Sequence, residues 1–359
     1  MAGFSTRAIK ASTTAPHVDQ VPSSVPIYQA AAFSTADAAE LGDVLTGAAP
    51  GYAYSRIDNP TTAALGNAVA ELEGAEAGLA FATGMAAIHA AIVSVVRAGQ
   101  TIVAAKAVYG TTRDLLVRIL SGLGVATEFV DTRDLAAVDA ALARTGAPVL
   151  YVETVSNPTI VVSDLAALAA VAHRHNALLL VDNTFASPYG CRPIELGADL
   201  VMHSATKYLS GHGDVLAGVV VGSEERIAAV RPILVDVGGA LAPLAAFLVL
   251  RGLPTLAIRM ERHTETALEL AGGREAGRAF LDAMSVAERT ASLGAVRTIT
   301  TAPPSTTHRQ LDADALREAG IAPGLLRCSI GLEDVEDLRA DMELGLAAAR
   351  AATGATTRK

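Results

Sequence analysis

Two hydrophobic periods alternate along the first two thirds of this chain. Seven short runs, at 78–82, 101–105, 125–130, 148–153, 177–182, 199–204 and 215–222, are dominated by apolar residues. Runs of that length predict strands covered on both faces. Between them, apolar residues recur at helical spacing. Leu65, Val69 and Leu72 share one face ahead of Gly74, and Leu135, Val138 and Leu142 share another. Leu165, Leu168, Ala169 and Ala172 make a third, with Ser163 or Asp164 placed to cap its start. Strand and helix in alternation predict an α/β domain on a mostly parallel sheet of seven strands.

The flanks differ. Residues 1–50 carry Pro16, Pro22, Pro26 and Pro50 and little periodicity, which predicts an arm wrapped over something larger. Residues 51–242 form the large domain, and residues 243–359 a smaller α+β domain. The two are linked by a long helix over 243–270, interrupted at Pro254. The smaller domain is expected to hold a helix at 274–284, strand-like pieces at 296–301 and 325–330, and a last helix at 333–351.

Composition sharpens this. At ~150 residues per domain, a chain of 359 residues suits two domains. Hydrophobic residues make up 51% and charged ones 18%, which excludes a largely disordered chain. The longest apolar stretches, 85–96 and 241–250, fall short of the ~20 residues that span a bilayer and are closed by Arg97 and Arg251. A net charge of −9 gives no footprint for nucleic acid. Cys191 and Cys328 make neither a disulfide framework nor a metal spacing. The first residues lack an apolar leader core, so a cytoplasmic protein without a membrane segment is expected. Lysine is scarce: only Lys10, Lys106, Lys207 and Lys359 occur.

Candidate chemistry gathers at the ends of the predicted strands. Asp182 ends a run of five apolar residues, at the edge where parallel α/β sheets bind ligands. It is either a turn or capping aspartate or the partner of a fixed cation. The next strand runs into Ser204, Thr206 and Lys207, with Gly211 and Gly213 beyond. A lysine there is either solvated or an amine poised for a Schiff base. Hydroxyls beside such an amine suit a carbonyl cofactor that carries a phosphate, and an aspartate suits its ring nitrogen. That combination is the pattern of pyridoxal 5'-phosphate. Thr83, Gly84 and Met85 open a helix after a strand, which is an ordinary turn or an anion site made of N–H groups. Tyr109 follows another strand and could face a ring, although a Tyr there is also ordinary packing. There is no GxxxxGK[ST] loop, Leu216 breaks a GxGxxG reading, and His173 and His175 are badly spaced for a metal.

Several motifs in order carry a resemblance. They are VPIYQ at 25–29, YAYSRIDNPT at 52–61, LEGAEAGLAFATGMAAI at 72–88 and VYGTT at 108–112. After these come ETVSNP at 153–158, VDNTF at 181–185, HSATKYLSGHGD at 203–214, LRGLPTL at 250–256 and RCSIGLED at 327–334. From about Phe4 to Arg350 the chain resembles the Cys/Met-metabolism family of pyridoxal-phosphate enzymes. That family includes cystathionine γ-synthase and γ-lyase, methionine γ-lyase and O-acetylhomoserine sulfhydrylases. The resemblance implies the aspartate aminotransferase-like fold type I, and γ-elimination or γ-replacement on a sulfur amino acid or activated homoserine. It implies Lys207 as the carrier of the cofactor and mover of protons, and Asp182 at the ring nitrogen. Ser204, Thr206, Gly84 and Met85 would hold the phosphate, and Tyr109 would stack on the ring and protonate the leaving group. Arg327, helped by Asn157 and Ser292, would clamp the substrate carboxylate. Tyr54 and Arg56 would reach the cofactor of a neighbouring subunit, so a homodimer or homotetramer is implied, with no metal.

Three departures from the family pattern bear on substrate. Thr111 stands where methionine γ-lyases carry a cysteine, and Val235 precedes Asp236 where they carry a lysine. Arg297, in SLGAVRT, takes the place of a glutamate of cystathionine enzymes, and facing the site it would favour an anionic distal group. Ala271 runs directly into Gly272, so the small domain is expected to lack a strand pair that relatives carry. β-Elimination, methionine γ-elimination and cofactor binding with reduced catalysis are the alternatives.

Overall fold

The apolar runs pair as the sequence predicts. The structure, a computed structural model, describes residues 21–266 and 282–353. Its main sheet holds β1 (Ala77–Phe81), β2 (Thr101–Ala105), β3 (Ala126–Val130), β4 (Val149–Glu153), β5 (Leu178–Asp182), β6 (Leu200–His203) and β7 (Gly218–Gly222). Their order is β1-β7-β6-β5-β4-β2-β3. β7 is antiparallel to both its neighbours, and the other pairs are parallel. β1 therefore runs the same way as β6. The carboxyl ends of β1, β2, β4, β5 and β6 consequently share one edge, where ligands gather in such sheets.

After α1 (Ala38–Thr46), helices cover the sheet, among them α2 (Pro60–Glu73), α3 (Gly84–Val95), α4 (Gly110–Asp114), α5 (Leu135–Thr145) and α6 (Leu165–Arg174). Asp164, not Ser163, caps α6 by accepting from the N–H of Ala167. Leu65 and Val69 are fully buried, but Leu72 is 40% exposed, and the inner face of α2 runs through Ala70 and Glu73 instead. Helix α1 lies in the arm, where no helix was expected. Its ends are local: Asp37 accepts from the N–H groups of Ala39 and Glu40, and Gly47 closes it at φ 76°. None of its residues is buried, so its short apolar face of Leu41, Val44 and Leu45 stays open in this chain. The arm's residues 1–20 lie outside the described residues.

The linking segment breaks at Pro254 as expected, giving α7 (Pro243–Gly252), a 3-10 turn at Leu253–Thr255 and α8 (Leu256–Thr266). By length and composition alone Pro243–Thr264 could cross a membrane, although Arg251 closes its longest apolar run as expected and α7 ends one residue later. Ala246, Val249, Leu256 and Met260 join the core under the seven-stranded sheet. Arg259, only 3% exposed, donates to the carbonyls of Tyr208 (2.6 Å) and Gly252 (2.9 Å). The large core therefore extends past residue 243.

The second domain carries a sheet ordered β10-β9-β8, with β8 (Glu288–Arg289), β9 (Ile299–Thr301) and β10 (Arg327–Ser329). β8 has two exposed residues and left no sequence signal. The last helix, α9, spans Val335–Thr353. Leu338 and Met342 on it pack with Met284, Ala287 and Ile330. Most of the helix expected at 274–284, and the join at 271–276, lie outside the described residues.

Candidate active site

At the shared strand edge a cavity of about 170 Å³ opens. It is lined by Gly84, Met85, Tyr109, Asn157, Asp182, Ser204, Thr206, Lys207, Ser292 and Arg327, ten of the thirteen residues singled out from sequence. They arrive from five strand ends and from the second domain.

The anion side is built by close approach. Thr83 caps α3, its hydroxyl accepting from the N–H of Ala86 (3.0 Å), so the N–H groups of Gly84 and Met85 remain at the helix start. A Cβ on Gly84 would lie 2.7 Å from Ser204 Cβ and 2.8 Å from its Cα. Only glycine lets the α3 terminus, with its positive dipole end, sit against the Ser204 hydroxyl. Thr206 Oγ1 accepts from the N–H of Ala217 (3.0 Å) and is thereby fixed on the cavity wall. Gly84→Ala is expected to weaken cofactor affinity by about 1–3 kcal/mol, the usual cost of overpacking. Titrating the stripped protein with cofactor and following visible absorbance measures it.

Beside that pocket stand two buried carboxylates, Asp182 and Glu153, paired in register at the ends of β5 and β4. Thr184 donates its N–H to Asp182 Oδ1 (2.9 Å), and its Oγ1 accepts from the N–H of Ser204 (2.7 Å). Thr184 therefore ties Asp182 to Ser204. Burial pushes the Asp182 carboxyl above its ordinary range. Burial, followed by the charge of Asp182, pushes Glu153 up to about 8. A carboxylate this deep calls for a cation.

Lys207 reaches in from the turn after β6, its Nζ 3.3 Å from Ser292 Oγ. Burial lowers its pKa, and the Arg327 guanidinium lowers it further. An amine held below its ordinary value is closer to the neutral nucleophile that a Schiff base requires. Arg327, on β10, is 5% exposed and donates to Asn157 Oδ1 (3.1 Å) and to the Ser292 carbonyl. Its Nε is buried without a partner. Tyr109 meets His308 edge-on, with ring centroids 6.4 Å apart. Burial, then Arg327, brings His308 down to about 4, so the imidazole is neutral.

Three of the thirteen lie elsewhere. Tyr54 is 43% exposed, and Arg56 stacks on it at 5.4 Å and donates to the Val235 carbonyl. Neither lines the cavity of its own chain. Arg297 does not line it either, which corrects the expectation that it faces substrate. Its Nε pairs with Glu288 Oε2 at 2.7 Å, and both side chains are half-exposed. A strand partner on β8, invisible in the sequence, captures it. Arg297→Glu is therefore expected to leave the ranking of cystathionine against O-succinylhomoserine unchanged, as measured by kcat/KM on each. Glu153, Thr184 and His308 were missed. Glu153 ends β4 and Thr184 lies two positions past the end of β5, both inside quoted motifs, a signal that could have raised them.

Pyridoxal phosphate fits these residues. Asp182 is a buried carboxylate in want of a cation, the Gly84–Ser204 contact leaves a cradle for a phosphate, and Lys207 offers a nucleophilic amine to an aldehyde. A model of the family described as Cys/Met metabolism PLP-dependent enzyme matches residues 5–273 and 268–347, the two stretches meeting where a strand pair was expected to be missing. An L-methionine gamma-lyase of Fusobacterium nucleatum is 39% identical over 367 aligned residues, covering 90% of this chain and 93% of that one. The crystal structure of a cystathionine gamma synthase from Xanthomonas oryzae, in complex with cystathionine, superposes with a TM-score of 0.86 at 34% identity, covering 92% of this chain and 94% of that one. A putative O-acetylhomoserine (thiol)-lyase from Campylobacter jejuni, solved with N'-pyridoxyl-lysine-5'-monophosphate, gives 0.86 at 27% identity, covering 90% and 95%. Relatives on both the lyase and the synthase side thus stand close to this chain. By its family match, its relatives and its fold, the chain belongs to the Cys/Met-metabolism family of pyridoxal-phosphate-dependent enzymes, carbon–sulfur lyases and γ-replacement enzymes on the fold type I plan.

Proposed function

We propose that this enzyme acts on an amino acid bearing a leaving group at its γ carbon, by elimination or by replacement, in the cytoplasm. One observation carries the reading: Lys207, Asp182 and Arg327 converge on a single cavity. When bound, the pyridine ring supplies an electron sink for negative charge at the α carbon. Around it, Asp182 keeps a proton on the ring nitrogen. Ser204, Thr206 and the α3 terminus hold the phosphate. Arg327, oriented by Asn157, receives the substrate carboxylate and fixes the Cα–H bond toward Lys207. Lys207 Nζ is the attachment point for the aldehyde and then the base that takes the α proton. Burial and the Arg327 guanidinium lower its pKa, which favours the neutral amine that this second duty needs. Tyr109 covers the ring and delivers a proton to the departing group.

Tyr54 and Arg56 support a shared site. They are displaced from their own cavity, carry a guanidinium and a phenol, and would complete the phosphate pocket of a neighbouring subunit in a homodimer or homotetramer. The remaining cavity wall is largely apolar, with Ile88, Val155, Phe185, Leu216 and Leu293.

The test is 2-oxo acid release from methionine, cystathionine, O-succinylhomoserine and cysteine, with and without added thiol. Ketobutyrate from the γ-substituted substrates, diverted by thiol, is the expected result. Pyruvate alone would replace the reading with β-elimination. A yellow protein that turns over none of them would make it a cofactor-binding protein.

A further inference from the structure

Glu153 has no part in the chemistry outlined above, yet it stands in the cavity wall at 4% exposure. Its two oxygens have separate tasks. Oε1 accepts from the backbone N–H of Tyr109 (2.6 Å) and Oε2 from the backbone N–H of Asn157 (3.0 Å). Tyr109 is the residue before α4, and no side chain caps that helix start. Asn157 in turn holds Arg327 through its Oδ1. We propose that Glu153 is a positioning residue, one side chain that sets both the ring-covering phenol and the arginine clamp for the substrate carboxylate. The inference rests on the reading of the cavity as a pyridoxal-phosphate site.

Only a carboxylate can do this from one position. It presents two acceptors about one strand-end residue, whereas a glutamine presents one acceptor and one donor. With either amide orientation, one N–H of the pair loses its acceptor and meets an NH2 instead. Both oxygens already accept from backbone N–H groups, so glutamine, of equal shape, alters the hydrogen bonds and not the packing. A 1 Å displacement of a positioned group can cost on the order of 100-fold.

The experiment uses the loaded enzyme. Glu153→Gln is expected to keep the full visible absorbance of bound cofactor while kcat/KM falls by about 10–100-fold. The fall divides between a lower kcat, through Tyr109, and a higher KM, through Asn157. In an Asn157→Ala background the KM component of Glu153→Gln should vanish, because what it positions has gone. In a Tyr109→Phe background the kcat component should shrink. Unchanged kinetics, or a KM loss that multiplies in full onto Asn157→Ala, would overturn the proposal. So would loss of absorbance in Glu153→Gln alone, which would put Glu153 on the cofactor itself. Wild type that takes up no cofactor would overturn the underlying reading instead. Should Glu153→Gln fold poorly, Glu153→Asp keeps both oxygens with a shorter reach, and the same split is expected of it.

Discussion

Lys207→Ala is expected to yield a protein that folds, still takes up cofactor non-covalently but lacks the absorbance band of the lysine-linked form, and turns over substrate at least ~10³-fold more slowly. Two functions are lost together, the attachment amine and the base, which is why the effect should exceed that of any other single substitution here. The protein has little with which to compensate. Only four lysines occur in the chain, and Lys10 and Lys359 lie near its termini. Lys106 is exposed on the turn after β2 and is not on the cavity wall. An arginine cannot form the Schiff base, so the Lys207→Arg enzyme should be as inactive as the alanine variant. Added methylamine should restore part of the rate to Lys207→Ala alone. Absorbance spectra and single-turnover rates read all three outcomes.

Asp182→Asn should cost nearly as much while leaving the colour in place. The carboxylate is buried and its pKa is raised by that burial, so it is costly without a cation and strongly attractive to one. Removing one partner of a buried ion pair typically costs ~3–5 kcal/mol. If that stabilisation is realised at the transition state, kcat falls by about 10²–10⁴-fold. The amide keeps the shape of the side chain and can still accept from the N–H of Thr184, so stability should change little. Stripped of cofactor, the asparagine variant should even be more stable than wild type, because it no longer buries two neighbouring carboxyls. Denaturation of the stripped proteins side by side measures that sign.

Much of this site was open to sequence reasoning, and for a physical reason. Strands buried on both faces are continuous apolar runs, so β4, β5 and β6 announced themselves and delivered Asp182 and Lys207 to one edge. Chemistry that interrupts such a run is conspicuous. Arg327 was not, because an arginine is ordinarily exposed, and nothing local says that this one is buried and held by Asn157 across 170 positions of sequence. Only the motif resemblance raised it. Arg297 failed for the complementary reason. Its orientation is decided by Glu288 on a two-residue strand too short to have a period. Glu153 looked like the polar end of a strand, and what makes it notable is the backbone it holds, which has no sequence signature.

The linking helix has an implication for how the chain can be cut. Arg259 of α8 holds the carbonyl of Tyr208, one residue after Lys207, and Met260 beside it belongs to the large core. A fragment ending at residue 242 would contain every strand of the main sheet and every phosphate-side residue. It would also leave that turn without its guanidinium and the core without α7 and α8. Such a fragment should behave as an incomplete folding unit, prone to aggregation and unable to hold the lysine in register. A fragment extended through α8 should recover the turn while still lacking the Arg327 clamp. Substrate binding and lysine placement could then be separated by the choice of truncation point alone.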